Sequence, residues 1–199
     1  MTANEAVWLK QALQGNEDAF AQLVETYQTP VYNLCYRMLG DELEAEDAAQ
    51  EAFWRAYQGL KKYDPSRSFI TWLLSIAAHY CIDQHRRRKL PTFSLDVLPE
   101  EDVPDYNVPE PEKVFGQRES ERHVHALLNQ LQPQDRAAII LRYWYDFSEE
   151  EISQTLNLTV SAVKSRLHRA RRSLAEAWNI TNPPQITSPE RRSYESPII

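Results

Sequence analysis

The sequence predicts an all-α protein: two small helical domains joined by an extended acidic linker, the C-terminal one containing a helix-turn-helix. Three observations carry this. Only four glycines and few strand-like runs leave little material for a sheet. Apolar residues in the candidate elements recur at spacings of three and four, the period of an amphipathic helix. Between residues 91 and 111, five prolines (Pro91, Pro99, Pro104, Pro109, Pro111) stand among Asp96, Glu100, Glu101, Asp102, Asp105 and Glu110. Proline breaks helices and like charges repel, so this stretch is expected to be extended. The 199 residues therefore divide into a first unit over 1–92, a linker over 93–109, a second unit over 110–178 and an irregular tail over 179–199, which holds Pro183, Pro184, Pro189 and Pro197.

The first unit reads as four helices. One covers roughly Glu5 to Leu13. The next starts near Asn16 and carries Phe20, Leu23, Val24, Tyr27, Val31, Leu34 and Met38, with Pro30 expected to bend or divide it. A third runs from about Leu43 to Leu60, with Ala48, Ala49, Ala52, Phe53 and Tyr57 apolar. Its acidic first turn (Glu44, Glu46, Asp47) suits the helix dipole. A turn follows at Tyr63-Asp64-Pro65-Ser66, and Ser68 can cap a fourth helix, FITWLLSIAAHYCIDQHRRRK.

The strongest local signal lies between Ser148 and Leu174. Ser148 is a good N-cap, and Glu151 three residues on completes a capping box. Ile152 and Leu156 share one face, Asn157 tolerates the left-handed backbone of a tight turn, and Thr159 can cap the following helix. There Val160, Val163, Leu167, Ala170 and Leu174 make one apolar stripe, while Lys164, His168, Arg171 and Arg172 line the other side. A helix pinned by a partner and basic on its free side is what major-groove binding requires. Caps, turn and facial segregation agree, which favours DNA binding over a merely solvated charged face.

The net charge of −7 does not oppose this. Residues 91–117 hold one basic residue against seven acidic ones, so the excess acid is local. Phosphates feel the basic clusters at Arg86-Arg87-Arg88-Lys89 and from Lys164 to Arg172. The acidic segment itself reads equally well as a spacer or as an electrostatic mimic of nucleic acid. The fourth helix has two readings: an aromatic and cationic surface for single-stranded nucleic acid, or a core of Trp72, Leu73, Ile76 and Tyr80 with a favourable basic C-terminus.

Other classes find no support. No run of about 18 apolar residues is available to span a membrane, and the N-terminus lacks a basic region followed by an apolar core, so a cytoplasmic protein is expected. Cys35 and Cys81 sit among apolar neighbours, as small core residues do in a reducing compartment. No CxxC, CxxH or HExxH spacing suggests a metal site, no cofactor is implied, and no nucleophile–base set, phosphate loop or carboxylate pair suggests an enzyme.

Together the two units resemble bacterial RNA polymerase sigma factors of the sigma-70 family, in the extracytoplasmic-function (ECF) class. The resemblance spans about residues 5 to 178. It rests on DAFAQLVETYQTPVYNLCYRMLGD, DAAQEAFWRAYQGLKKYD, FITWLLSIAAHYCIDQHRRRK and LQPQDRAAIILRYWYDFSEEEISQTLNLTVSAVKSRLHRARRSL, in that order. It implies that residues 1–92 are region 2, which binds core RNA polymerase and opens the −10 element, and that 110–178 are region 4, which reads the −35 element. The implied partners are core polymerase (its β′ coiled coil and β flap), promoter DNA and an anti-sigma factor, with no membrane insertion.

By position, the resemblance assigns polymerase binding to Asp47, Gln50, Glu51, Phe53, Trp54 and Tyr57. It assigns capture of −10 DNA to Asp64, Ser66, Arg67, Phe69, Trp72, His79, Asp83, Arg86, Arg87 and Arg88. It assigns −35 contacts to Arg142, Lys164, Ser165, Arg166, His168, Arg169 and Arg171. The family often has Arg where this chain has Ser75 and Asn where it has His79; Gly is common where Asp146 and Ser161 stand. The reading from another class is a helix-turn-helix regulator that acts without polymerase. A third is a helical interaction protein whose basic face meets an acidic partner.

Overall fold

The computed structural model describes residues 3–89 and 112–181, which form eight α-helices and no strand. In the first unit these are α1 (Ala3–Leu13), α2 (Glu17–Leu39), α3 (Glu42–Gly59), a single 3-10 turn (Leu60–Lys62) and α4 (Phe69–Lys89). In the second they are α5 (Glu112–Asn129), α6 (Pro133–Trp144), α7 (Glu149–Leu156) and α8 (Val160–Thr181). The linker expectation and the tail beyond Thr181 lie outside the described residues; residues 179–181, expected to be irregular, instead continue α8.

Short polar caps set the helix boundaries. Asn16 accepts from the Ala19 amide at 2.9 Å to start α2, and Asp41 accepts from Glu44 at 2.8 Å to start α3. Gly40, at φ 82°, ends α2 by donating its amide to the Tyr36 carbonyl. Pro30 does not divide α2, which runs unbroken through it. Proline removes one amide from the ladder, but Leu23, Val31, Leu34, Cys35 and Met38 of this helix are wholly buried on both sides of it. Tertiary packing outweighs the one missing bond.

Helix α2 is the spine of the first unit, packed by α1, α3 and α4. Helix α3 presents Ala45, Ala48, Ala52 and Ala56, all wholly buried. These small side chains let its backbone approach α2 closely. Helix α4 contributes Phe69, Leu73, Leu74, Ala77 and Cys81. Cys35 and Cys81 are both inaccessible, as expected of core thiols; a hydrogen bond between them, then burial, pushes the Cys81 thiol up.

In the second unit α8 packs on α5, α6 and α7. Ile140, Leu141, Ile152, Val163, Leu167 and Ala170 are buried together. The two units also touch: α4 meets α6 and α7, and α2 meets α5 and α6. The Arg136 guanidinium, 3% exposed, donates to the Met38 carbonyl at 2.5 Å. That carbonyl lies in the last turn of α2, where no intrahelical amide remains to satisfy it, and His85 Nε2 approaches it at 2.7 Å. Burial pulls Arg136 down to about 10. The Tyr145 hydroxyl donates to the Pro30 carbonyl at 2.5 Å, and Arg37 lies 5.2 Å from the centre of the Trp144 ring.

Candidate nucleic-acid and docking interfaces

The helix-turn-helix forms as its residues dictate. Ser148 Oγ accepts from the Glu151 amide at 3.1 Å, and the Glu151 carboxylate accepts from the Ser148 amide at 2.8 Å. Asn157 takes the left-handed conformation at φ 51°, and Thr159 Oγ1 accepts from Ala162 to open α8. Asp146, where glycine is common in the resembling family, adopts the same left-handed region at φ 53°. Arg142 donates to the Phe147 carbonyl at 2.9 Å and so braces the chain between α6 and α7.

Helix α8 buries Val163, Leu167 and Ala170 and exposes Lys164, Ser165, His168, Arg169, Arg171 and Arg172. Positions 165, 168, 169 and 172 share one face by their spacing. These side chains are held to different degrees. Lys164 pairs loosely with Glu149 at 3.5 Å, Ser165 bonds back to the Ser161 carbonyl, and Arg171 donates to the Leu167 carbonyl at 3.1 Å. Arg166 and Arg169 converge on Asp135 of α6, at 2.7–2.8 Å. Burial would raise the Asp135 carboxyl, but hydrogen bonds from Arg169 and then Arg166 hold it below the usual carboxylate range. The same contact raises Arg169. Asp135 escaped the sequence reading because its partners lie 31 and 34 residues away. The only local signal was an acid in the first turn of a proline-initiated helix.

In the first unit, Asp64, Ser66 and Arg67 are exposed on the turn before α4. The Ser66 amide donates to Asp64 Oδ1 at 2.9 Å, which lowers that carboxyl. Phe69 is a correction. Its ring is wholly buried, 5.6 Å from Tyr27, 5.7 Å from Tyr63 and 5.7 Å from Trp72. It supports the turn from beneath and offers no face to a base, because the core is where an apolar ring at the start of α4 is most stable. Trp72 is half-buried, leaning on Tyr63 and Phe69. His79 bonds to the Ser75 carbonyl at 2.7 Å and remains exposed. Along α4, Arg86 pairs with Asp83 at 3.6 Å, Arg88 pairs with Glu44 of α3, and Arg87 is exposed.

The second surface of this unit is apolar. A groove between α2 and α3 is walled by Val24, Tyr32, Ala49, Gln50 and Phe53 and continues past Phe20 to Trp54 and Tyr57. Trp54 is 57% exposed and stacks on Tyr57 at 6.3 Å, and Tyr57 meets Phe20 at 5.0 Å. The exposed Asp47 and half-exposed Glu51 flank it, Glu51 bound to Arg55 at 2.6 Å. Of the residues expected to dock on polymerase, Gln50, Phe53, Trp54 and Tyr57 line this groove; its α2 wall carried no such expectation. Among the described residues no cluster could hold a metal ion, and no helix is long and apolar enough to cross a membrane.

A capped helix-turn-helix, a basic helix beside a polar turn, and an aromatic-rimmed groove define a two-unit DNA-binding protein built to dock on a partner. Comparison with known proteins makes the class specific. Residues 23–90 match the model of Sigma-70 region 2, and 122–174 match that of Sigma-70, region 4. The chain is 40% identical over 173 residues to the ECF RNA polymerase sigma factor SigW of Bacillus subtilis, covering 83% of this chain and 92% of that one. It is 29% identical to the RNA polymerase sigma factor CnrH of Cupriavidus metallidurans, covering 83% and 89%. The solved structure of CnrH in complex with the cytosolic domain of CnrY superposes with a TM-score of 0.67 at 25% identity, over 89% of this chain and 99% of that one. The sigma factor RpoE in complex with the anti-sigma factor NepR from Bartonella quintana shares the fold, with a TM-score of 0.58 at 22% identity, over 81% and 97%.

The chain belongs to the sigma-70 family, in the ECF class of RNA polymerase sigma factors. It is a transcription initiation factor that directs promoter-specific transcription with core RNA polymerase.

Proposed function

We propose that the α2–α3 groove is the polymerase-docking surface, with Trp54 and Tyr57 as its anchors beside Asp47, Gln50, Glu51 and Phe53. The turn Asp64–Arg67 and the outer face of α4 (Trp72, His79, Asp83, Arg86, Arg87) receive the opened −10 strand. Helix α8 enters the major groove of the −35 element, with Lys164, Ser165, His168 and Arg169 facing it. The units run over 1–92 and 110–178, joined by the acidic linker 93–109. Such a protein works in the cytoplasm and is no enzyme in its own right. The groove also suits an anti-sigma factor, which would compete with polymerase for the same apolar rim.

The observation that carries this reading is the exposed Trp54–Tyr57 stack on the groove rim of a chain that also holds a helix-turn-helix. Aromatic anchors at an apolar cleft are the usual centre of a protein interface. A regulator that binds its operator alone has no need of them. The test is run-off transcription from a genomic fragment library with core polymerase. The chain alone binds promoter DNA weakly, because each unit offers few phosphate contacts. Core enzyme gives initiation at defined promoters. Tight operator binding by the free chain, with no gain from polymerase, returns the regulator reading.

A further inference from the structure

We propose that Asp135 is a positioning residue for −35 recognition: it sets the arginines of α8 in their DNA-reading pose before DNA arrives. This rests on the assignment of α8 to the −35 element. Asp135 is the third residue of α6, and its side chain is 4% exposed. It receives Arg169 through a fork, Nε on Oδ2 at 2.7 Å and Nη2 on Oδ1 at 2.8 Å, and Arg166 Nη1 on Oδ1 at 2.8 Å. The Arg169 side chain is nonetheless 56% exposed.

A guanidinium carries five N–H donors, and Asp135 takes two of those on Arg169. Three remain, two of them paired on the edge between Nη1 and Nη2. A planar fork held on one edge by a buried carboxylate has its other edge fixed in direction, as bidentate reading of a base or phosphate requires. The rotamer freedom that a loose arginine loses on binding is here lost on folding instead. Lys164, by contrast, has only a 3.5 Å contact with Glu149, at an exposed site. The basic face is therefore divided into an oriented arginine and an adaptable lysine. The oriented one suits sequence discrimination, and the adaptable one suits a phosphate.

Asp135 also has reason to be charged where it sits. The N-cap of α6, Gln132, makes no side-chain hydrogen bond, so the first turn of α6 leaves amides unsatisfied and favours a carboxylate. The helix dipole thus favours the charge, and the arginines of α8 hold it.

The experiment uses full-length protein with core polymerase on a promoter recovered by run-off selection, and on its single-base −35 variants. It reads the ratio of transcription from matched over mismatched −35 sequences. Asp135→Asn, close in shape, lowers this ratio about tenfold, the scale of one bidentate contact. Asp135→Glu, which keeps the acceptor fork, restores most of it. In an Arg169→Ala background, Asp135→Asn has little further effect, because it acts through Arg169. A merely structural acid would instead give the same loss in both backgrounds, which overturns the proposal, as does an unaltered ratio in Asp135→Asn with its melting temperature preserved. Should Asp135→Asn not fold, the comparison of Asp135→Glu with wild type in the two backgrounds carries the same test. A wild-type protein whose transcription ignores the −35 sequence, or an Arg169→Ala ratio equal to wild type, removes the −35 assignment itself, independently of Asp135.

Discussion

Replacing Phe69 by alanine separates a residue that builds the proposed −10 surface from one that touches DNA. Its ring is wholly buried and meets three other aromatic rings at 5.6–5.7 Å. Truncating a buried phenylalanine costs about 3–5 kcal/mol, and each lost aromatic pair lies within the roughly 0.5–1.5 kcal/mol that such geometry adds. For a domain the size of the first unit, 1 kcal/mol corresponds to about 4–8 °C, so its melting temperature falls by about 12 °C or more. Urea unfolding followed by circular dichroism measures the loss. Transcription by holoenzyme drops together on duplex promoter and on template already opened around −10, and Phe69→Leu recovers most of both. A destabilisation below about 1 kcal/mol, with loss on the duplex template alone, would refute the packing argument and return Phe69 to the DNA.

Trp54→Ala weakens assembly with core polymerase by about 2 kcal/mol or more, as expected for an aromatic anchor, while its melting temperature stays within about 2 °C of wild type; competition binding against labelled wild type measures the first. Equal affinity would move the docking surface elsewhere. His125 adds a pH dependence to the contact between the units. Burial first, then Arg37, depress its pKa, with Arg136 adding to this and Glu121 opposing it, and its ring sits 4.4 Å from Tyr36 of α2. A histidine held below its ordinary pKa is neutral when packed and takes up a proton when released. The contact is therefore fully favoured above the ordinary histidine pKa and weakens as pH falls below it. Energy transfer between dyes on the two units is expected to decrease from pH 8 to pH 5.5 in wild type and to change less in His125→Gln.

Much of the fold was legible because its signals are local. Ser148, Glu151, Asn157 and Thr159 each specify a cap or a turn within four residues, and the structure realises every one. The predicted span of α4 matches the observed Phe69–Lys89. Pro30 does not divide α2, since a rule about one amide says nothing of the buried residues that keep the helix continuous through it. Phe69 and Trp72 read alike as aromatic residues at a helix start, yet one faces Tyr27 in the core and the other is half-exposed. Their burial depends on the azimuth of α4 against α2, which no local pattern fixes. The ion pairs Arg169–Asp135 and Arg88–Glu44 and the bond from Arg136 to Met38 each join distant stretches, so they emerge only after the helices have packed. The basic face of α8 was visible in sequence, but the restraint on its arginines was not.

The contact between the units has a consequence for how tightly this protein binds polymerase. Arg86 of α4 and Arg169 of α8 line one hollow, along with His85 and Gln134. On the proposed assignment, α4 serves the −10 element and α8 the −35 element, about 25 base pairs and so roughly 85 Å apart at 3.4 Å per base pair. No single duplex can meet both helices until the units part. On that assignment core enzyme would select a spread conformer, and its apparent affinity would be discounted by the rarity of that conformer in the free chain. Were one molecule in about a hundred spread, the apparent Kd would be a hundredfold weaker than the intrinsic one. A substitution that loosens Arg136 or Tyr145 from α2 then tightens polymerase binding without touching the docking groove.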